Sequence, residues 1–238
     1  MIKSKVRTKE EVLAHLHSGM TMMVSDFLGL TGPDELMDAI AQSDLKDFTL
    51  IAITTGKPDE GCGKLVTAKK VKKAITTHIG TNKESVKQVN EGTMEVEFIP
   101  QGTFAEKIRC KASGLGGVLT PVGIGTLVEE GKRKITVEGR EYLLETPLGA
   151  EVAILKANKA DPLGNLVYNK TTAMDQTTMA MAADFVIAEV EELVEVGGIA
   201  PEDVNTPSPL VDMIYLRQNK EKRPIPPSWK KLREGSDQ

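Results

Sequence analysis

A mainly parallel α/β fold, with helices flanking the sheet, is predicted by three features of the chain. Short aliphatic runs alternate with segments of helical period through residues 1 to 112, the pattern of right-handed βαβ units. The composition is 40% apolar but only 4% aromatic, which suits an aliphatic core in a chain of 238 residues. No repeat of fixed period is present, which excludes solenoids and propellers.

Each element has its own signal. Thr8-Lys9-Glu10-Glu11 has the form of a helix start, with Thr8 as N-cap, Val12, Leu13 and Leu16 on one face and Gly19 as the stop. The run MTMMVSDFLGL enters a turn at Thr31-Gly32-Pro33-Asp34, from which a helix rises with Leu36, Met37 and Ile40 at helical spacing. Strand-like FTLIAIT follows, then the loop TTGKPDEGCG, a short helix near 63 to 70, strand-like VKKAITTHIG, helix-like KESVKQVNEG and strand-like MEVEFI. The last strand breaks at Pro100-Gln101-Gly102-Thr103, and helical spacing resumes to Arg109.

Beyond residue 112 the pattern loosens. Residues 113 to 132 carry six glycines and one proline, and are read as a long irregular loop of the kind that tends to be functional. KRKITVEGREYLLE alternates about Glu138-Gly139 as a β-hairpin. EVAILKAN is a buried strand, Asp161-Pro162-Leu163-Gly164-Asn165 a turn, TTAMDQTTMAMAA a helix, and DFVIAEV and DMIYL two further strands. The expected division is a folded domain over 1–216 and a charged, proline-containing tail over 217–238, with Trp229 as an anchor for a partner.

Charge and composition narrow the function. A formal net charge of -4, with acidic and basic residues interspersed, argues against a nucleic-acid surface. No apolar run reaches the length of a signal peptide or membrane span, so a cytoplasmic protein is expected. Cys62 and Cys110 have no C-x-x-C spacing and are read as free thiols without assigned chemistry. His15 and His17 are two apart on a surface helix and do not face each other, so no metal site is expected there.

Ligands of doubly wound sheets bind at the carboxyl ends of the strands. That rule selects the loops 25 to 33, 54 to 63, 78 to 82 and 100 to 103. None carries a standard nucleotide fingerprint or a serine hydrolase elbow, and no nucleophile stands beside a base. Either the chain binds without catalysing, or the reacting group comes from elsewhere.

Four ordered blocks resolve this. Pro100-Gln101-Gly102-Thr103 with Glu106 and Arg109, Thr120-Pro121-x-Gly123-x-Gly125-Thr126, His78-Ile79-Gly80-Thr81-Asn82, and Asp161-x-x-Gly164-Asn165-Leu166 together resemble the α subunits of family I coenzyme A transferases. The likeness runs from about residue 5 to 216. It implies an open α/β sandwich meeting a similar β half, on which a glutamate in a Ser-Glu-Asn-Gly motif attacks the acyl-CoA to give an anhydride and then a glutamyl-CoA thioester. No Ser-Glu-Asn-Gly occurs here, so the nucleophile is expected on a β subunit, in an αβ or α2β2 assembly. Coenzyme A is then a substrate, exchanged between short carboxylic acids, and no prosthetic cofactor is expected.

The resemblance also implies roles for residues. Gln101 is the expected oxyanion donor at the thioester carbonyl, with Pro100 stiffening the strand exit and Gly102 allowing close approach. Ser25, Asp26, Phe27, Gly29, Gly32, His78, Gly80, Asn82, Gly116 and Gly117 are expected to contact substrate or coenzyme A. Glu106 and Arg109, three apart on a helix, read as a surface ion pair or as a support for Gln101. Two blocks depart from the family: Ser25-Asp26 replaces the usual Gly-Gly, and Ala173-Met174-Asp175-Gln176-Thr177 stands where relatives commonly have Arg-Asn-Phe-Asn-Pro. Asp26 is expected to enter the acyl pocket and to favour an amino or hydroxy acid. The alternatives are an acyl-CoA sensor descended from such a subunit, and a sugar-phosphate isomerase, for which no phosphate motif is seen.

Overall fold

The computed structural model describes residues 3–219. In chain order the elements are α1 (Lys9–His15), β1 (Thr21–Val24), α2 (Asp34–Gln42), β2 (Phe48–Ile51), α3 (Gly63–Thr67), β3 (Val71–Thr76), α4 (Lys83–Asn90), β4 (Glu95–Phe98) and α5 (Gln101–Ala112). Then come β5 (Val118–Thr120), β6 (Lys134–Val137), β7 (Arg140–Glu145), β8 (Ala150–Ala160), β9 (Leu166–Val167), α6 (Gln176–Ala182), β10 (Ala183–Leu193) and β11 (Met213–Leu216). The main sheet runs β11-β10-β8-β1-β2-β3-β4, every pair parallel, with β9 added antiparallel to β8.

This order has a physical consequence. The chain winds outward from β1 to β4, returns to the other side of β1 as β8, and winds outward again to β11. The crevice between β1 and β8 is therefore the switch point at which a doubly wound sheet opens for a ligand.

The central strands β1, β2 and β8 are covered on both faces and read as continuous aliphatic runs, whereas the edge strand β4 alternates and is largely exposed. Met22, Val24, Leu50, Val152 and Ile154 face α1, α2 and α3 through Val12, Leu36, Met37, Ile40, Leu65 and Val66. Their neighbours Met23, Ile51, Ala153 and Leu155 face α5 and α6 through Phe104, Ile108, Met179 and Ala180. The period of two along a strand thus sends Met22 and Met23 into separate cores. Thr8 caps α1 as expected, accepting from the Glu11 amide while the Glu11 carboxylate accepts from the Thr8 amide.

Residues 113–132 differ from the expected irregular loop. β5 pairs with β7, and β7 with β6, giving a three-stranded antiparallel sheet of order β5-β7-β6. The hairpin at Glu138-Gly139 is as predicted, both turn residues having the positive φ of a type I′ turn, 50° and 78°. What was hidden is β5: three residues between glycines are too few to show a period. The segment 171–183 also differs, since a 3-10 turn at Lys170–Ala173 ends at Met174-Asp175 before α6 begins at Gln176.

Residues on either side of Leu216 are fastened to α2. The Glu35 carboxylate accepts hydrogen bonds from the Gln218 amide at 3.0 Å, the Asn219 amide at 2.6 Å and the Tyr215 hydroxyl at 2.8 Å. The rest of the expected tail, with Trp229, lies outside the described residues.

Candidate active site

Pro100 ends β4 and stands at the N-cap of α5, so Gln101 is not in a loop but is the first residue of that helix. The fixed φ of proline suits a helix entrance, and the Phe104 amide closes the first turn onto the Pro100 carbonyl at 2.8 Å. Gln101 is exposed and lines a cavity of about 280 Å³ with Ile53, Phe104, Met174, Asp175 and Thr178 among its neighbours. The space beside Gly102 is open, since a Cβ added there would meet nothing within 4 Å.

The second wall of the cavity comes from the other half of the sheet. Asp175 sits in the break before α6, half-buried, and its carboxylate accepts a hydrogen bond from the buried Ser25 hydroxyl at the exit of β1. This contact spans the switch crevice. Gln176 reinforces it, accepting from the Lys156 amide on β8 at 3.2 Å and donating to the Thr31 carbonyl in the loop after β1. The two segments that depart from the family pattern therefore touch each other. Burial raises the Asp175 pKa above the ordinary aspartate value, with the Ser25 hydrogen bond opposing and the Asp26 charge adding to the rise.

Asp26, expected in the acyl pocket, is turned the other way. It is fully buried, and its Oδ2 accepts the Cys62 amide at 3.0 Å. A Cβ on Gly32 would fall 2.6 Å from its Cγ, and one on Gly61 within 1.9 Å of its Oδ2, so both glycines serve the close approach of two loops around this carboxylate. Asp26 ties the loop after β1 to the loop after β2. The acids that line the cavity are Asp175 and Glu106, the latter paired with Arg109.

The other expected contacts are dispersed. Phe27 is part-exposed beside a second cavity of about 350 Å³, lined also by Lys170, Thr171, Ala173 and Met174, and Met174 belongs to both cavities. Gly29 packs on Glu60. His78 and Gly80 are exposed after β3. Asn82 is buried as the N-cap of α4, accepting from the Glu84 and Ser85 amides and donating to the Thr55 carbonyl at 2.8 Å; its groups are used by the fold rather than offered to a substrate. Gly116 and Gly117 border β5 away from the Gln101 cavity, and a Cβ on Gly117 would lie 2.6 Å from the Glu145 carbonyl oxygen.

Glu106 and Arg109 form the expected ion pair, 2.6 Å apart and part-exposed, on the same cavity wall as Gln101. Neither cysteine offers a nucleophile: both are buried free thiols, and burial, with Asp26 beside it, pushes the Cys62 thiol well up. No group of three or more potential metal ligands occurs among the described residues. Nor is any of their helices long and apolar enough to cross a membrane.

A parallel sheet carries, at the carboxyl ends of its strands, one cavity lined by a carboxamide and an acid, with a buried hydroxyl held against that acid. The family model for coenzyme A transferase matches residues 6–217, and the chain belongs to that family. It is 42% identical over 217 residues to the acetate CoA-transferase subunit alpha of Escherichia coli K12, spanning 91% of this chain and 99% of the relative. It is likewise 42% identical over 213 residues to the acetoacetyl-CoA:acetate/butyrate CoA transferase alpha subunit of Clostridium acetobutylicum, spanning 90% and 98%. The fold matches glutaconate coenzyme A-transferase from Acidaminococcus fermentans with a TM-score of 0.80 at 22% identity, covering 90% of this chain and 75% of the other. It also matches an acyl-CoA transferase from Escherichia coli O157:H7, TM-score 0.82 at 19% identity, of which this chain spans 48%.

Proposed function

We propose that this chain is the α subunit of a two-chain enzyme that exchanges coenzyme A between short carboxylic acids, with its nucleophilic glutamate on a β subunit and Gln101 as the oxyanion donor. The observation that carries the reading is the position of Gln101: exposed on the first turn of α5, facing a cavity at the carboxyl ends of the strands. The glutamate of the partner attacks the thioester carbonyl and coenzyme A leaves, giving an acyl-glutamyl anhydride; the thiolate then attacks the glutamyl carbonyl, the donor carboxylate departs, and the glutamyl-CoA thioester meets the second acid. At each attack negative charge gathers on the former carbonyl oxygen. The carboxamide N–H of Gln101 donates to it there, and the helix N-terminus behind it adds positive potential.

Two further features support a partner chain. The match to curated alpha subunits is nearly end to end, and the Ser-Glu-Asn-Gly nucleophile motif is missing here. Leu115, Leu119, Val122 and Leu127, four large apolar side chains on and beside β5, stand exposed, Leu127 at 84%, and are available to a partner.

The test is steady-state transfer from acetyl-CoA by the chain co-purified with its β chain. Gln101→Ala is expected to lower kcat by about 10²–10³-fold with a smaller change in KM, and the chain alone is expected to be inactive. Exchange by the chain alone, or a Gln101→Ala variant within about 3-fold of the parent, a factor worth under 1 kcal/mol of barrier, overturns the reading.

A further inference from the structure

Asp175 has no place in the oxyanion machinery, and the fold does not use it as a cap: it precedes α6 but makes no side-chain hydrogen bond to that helix. It lines the same cavity as Gln101, held by the Ser25 hydroxyl, which is itself sealed from solvent. The Ser25 hydroxyl and the Asp175 backbone amide leave the carboxylate part of its accepting capacity, so it can still receive a donor from a ligand.

The charge balance of the cavity says which donor. Three ionisable side chains line it: Glu106, Arg109 and Asp175. The first two neutralise each other at 2.6 Å. What remains is the Asp175 carboxyl, and its neighbour Asp26 adds negative potential from behind. An unsubstituted fatty acid enters such a cavity as an anion against a second acid. A short amino acid enters as a zwitterion, neutral as a whole, and its ammonium supplies the cation the wall lacks.

We infer that Asp175, oriented by Ser25, is the specificity-determining residue of this site and selects an acyl group carrying an ammonium substituent. The inference rests on the reading of the Gln101 cavity as the acyl site. In the exchange the C–S bond of the donor thioester breaks and a C–S bond to the carboxyl carbon of the amino acid forms. One oxygen of the partner's glutamate leaves with the donor acyl group as its carboxylate, and one carboxylate oxygen of the amino acid then takes its place on the glutamate. The ammonium is bound throughout and is not consumed.

Isosteric acceptors test this on the parent enzyme, with acetyl-CoA as donor and the β chain present. 3-Aminobutyrate and 3-methylbutyrate have the same shape and differ in an ammonium against a methyl. The amino acid is expected to show the higher kcat/KM by about 10- to 100-fold, the range of a hydrogen bond to a charged group. In Asp175→Asn that ratio is expected to fall to about 1 or below, and in Ser25→Ala to move the same way by less. The ratio, not the rate, is the readout, so a variant of reduced activity still reports. Equal or faster turnover of 3-methylbutyrate by the parent, a ratio untouched by Asp175→Asn, or a preference for 3-hydroxybutyrate over both would each overturn the inference. Turnover of acetate without preference for the amino acid overturns it alone, whereas failure to transfer coenzyme A to any acid overturns the proposed function with it.

Discussion

Glu145, where the small sheet meets α5, and Glu189, where β10 meets α2, are each only 1% exposed, yet the protein pulls their protonation in opposite directions. Burial pushes the Glu145 carboxyl up, but Lys132 and Lys107 outweigh it and hold it below the ordinary glutamate range; Lys107 Nζ lies 3.1 Å from Oε2. Glu189 makes no ion pair with a lysine among the described residues, its strand neighbour Lys156 being turned to Glu191, and Arg217 opposes the rise only weakly. It accepts the Leu36 amide at 2.8 Å, and burial drives its pKa up to about 7. Depth alone therefore does not decide whether a carboxyl is a charge; its partners do. At the site the partners differ likewise: Asp26 is tied to the Cys62 amide, whereas Asp175 lines the cavity and accepts from Ser25.

The contrast can be broken most forcefully at the clamp. Glu145→Ala strands two lysines, one of them buried, and is expected to cost about 3–5 kcal/mol of stability, read from urea unfolding. Because Lys107 belongs to α5, the helix that presents Gln101, activity should fall with it.

Next in size is the pH dependence of Glu189. Its folded pKa lies above the unfolded value, so the native state holds the proton more tightly. Stability is complete below about pH 4.5 and is lost as pH rises through about 7, a swing on the order of 3 kcal/mol. Glu145 has the opposite sign: its contribution is present above the unfolded pKa and is lost as pH falls through the folded one. Urea midpoints measured from pH 4 to 8 are expected to fall above pH 5 in the parent and to flatten in Glu189→Gln. An unchanged slope in that variant would show that another group titrates.

The smallest effect sharpens the comparison from the surface side. Glu106 and Arg109 make the same chemical pair as Glu145 and its lysines, but in solvent. Arg109→Ala is expected to leave the urea midpoint unchanged within error, since exposed pairs are screened and hold long side chains at an entropic cost.

Much of this architecture was legible in the chain. The alternation of MTMMV, FTLIAIT, VKKAITTHIG and MEVEFI with helical segments announced the parallel half, and Thr8 and Glu138-Gly139 announced a cap and a turn by local chemistry alone. The Pro-Gln-Gly-Thr block singles out Gln101, and the break of strand-like MEVEFI at Pro100 marks its place after a strand. The second wall of the site was not found. Asp175 lies in a segment whose composition reads as helix, and only tertiary packing shows the break at Met174-Asp175 that turns it to the cavity. The rule of strand carboxyl ends was applied to the loops after the first four strands and not across the switch point. Asp26 was misplaced because sequence shows an acid beside a serine but not which of two adjacent side chains turns inward.

The Ser25–Asp175 contact joins positions 150 apart in the chain. A nascent polypeptide has the Gln101 turn and the first strand exit well before the segment carrying Asp175 has been made, and closing so wide a loop is the slow, entropically costly part of reaching the native state. The wall that Ser25 and Asp175 build is consequently among the last features to take shape, and its presence reports that both arms of the sheet have docked.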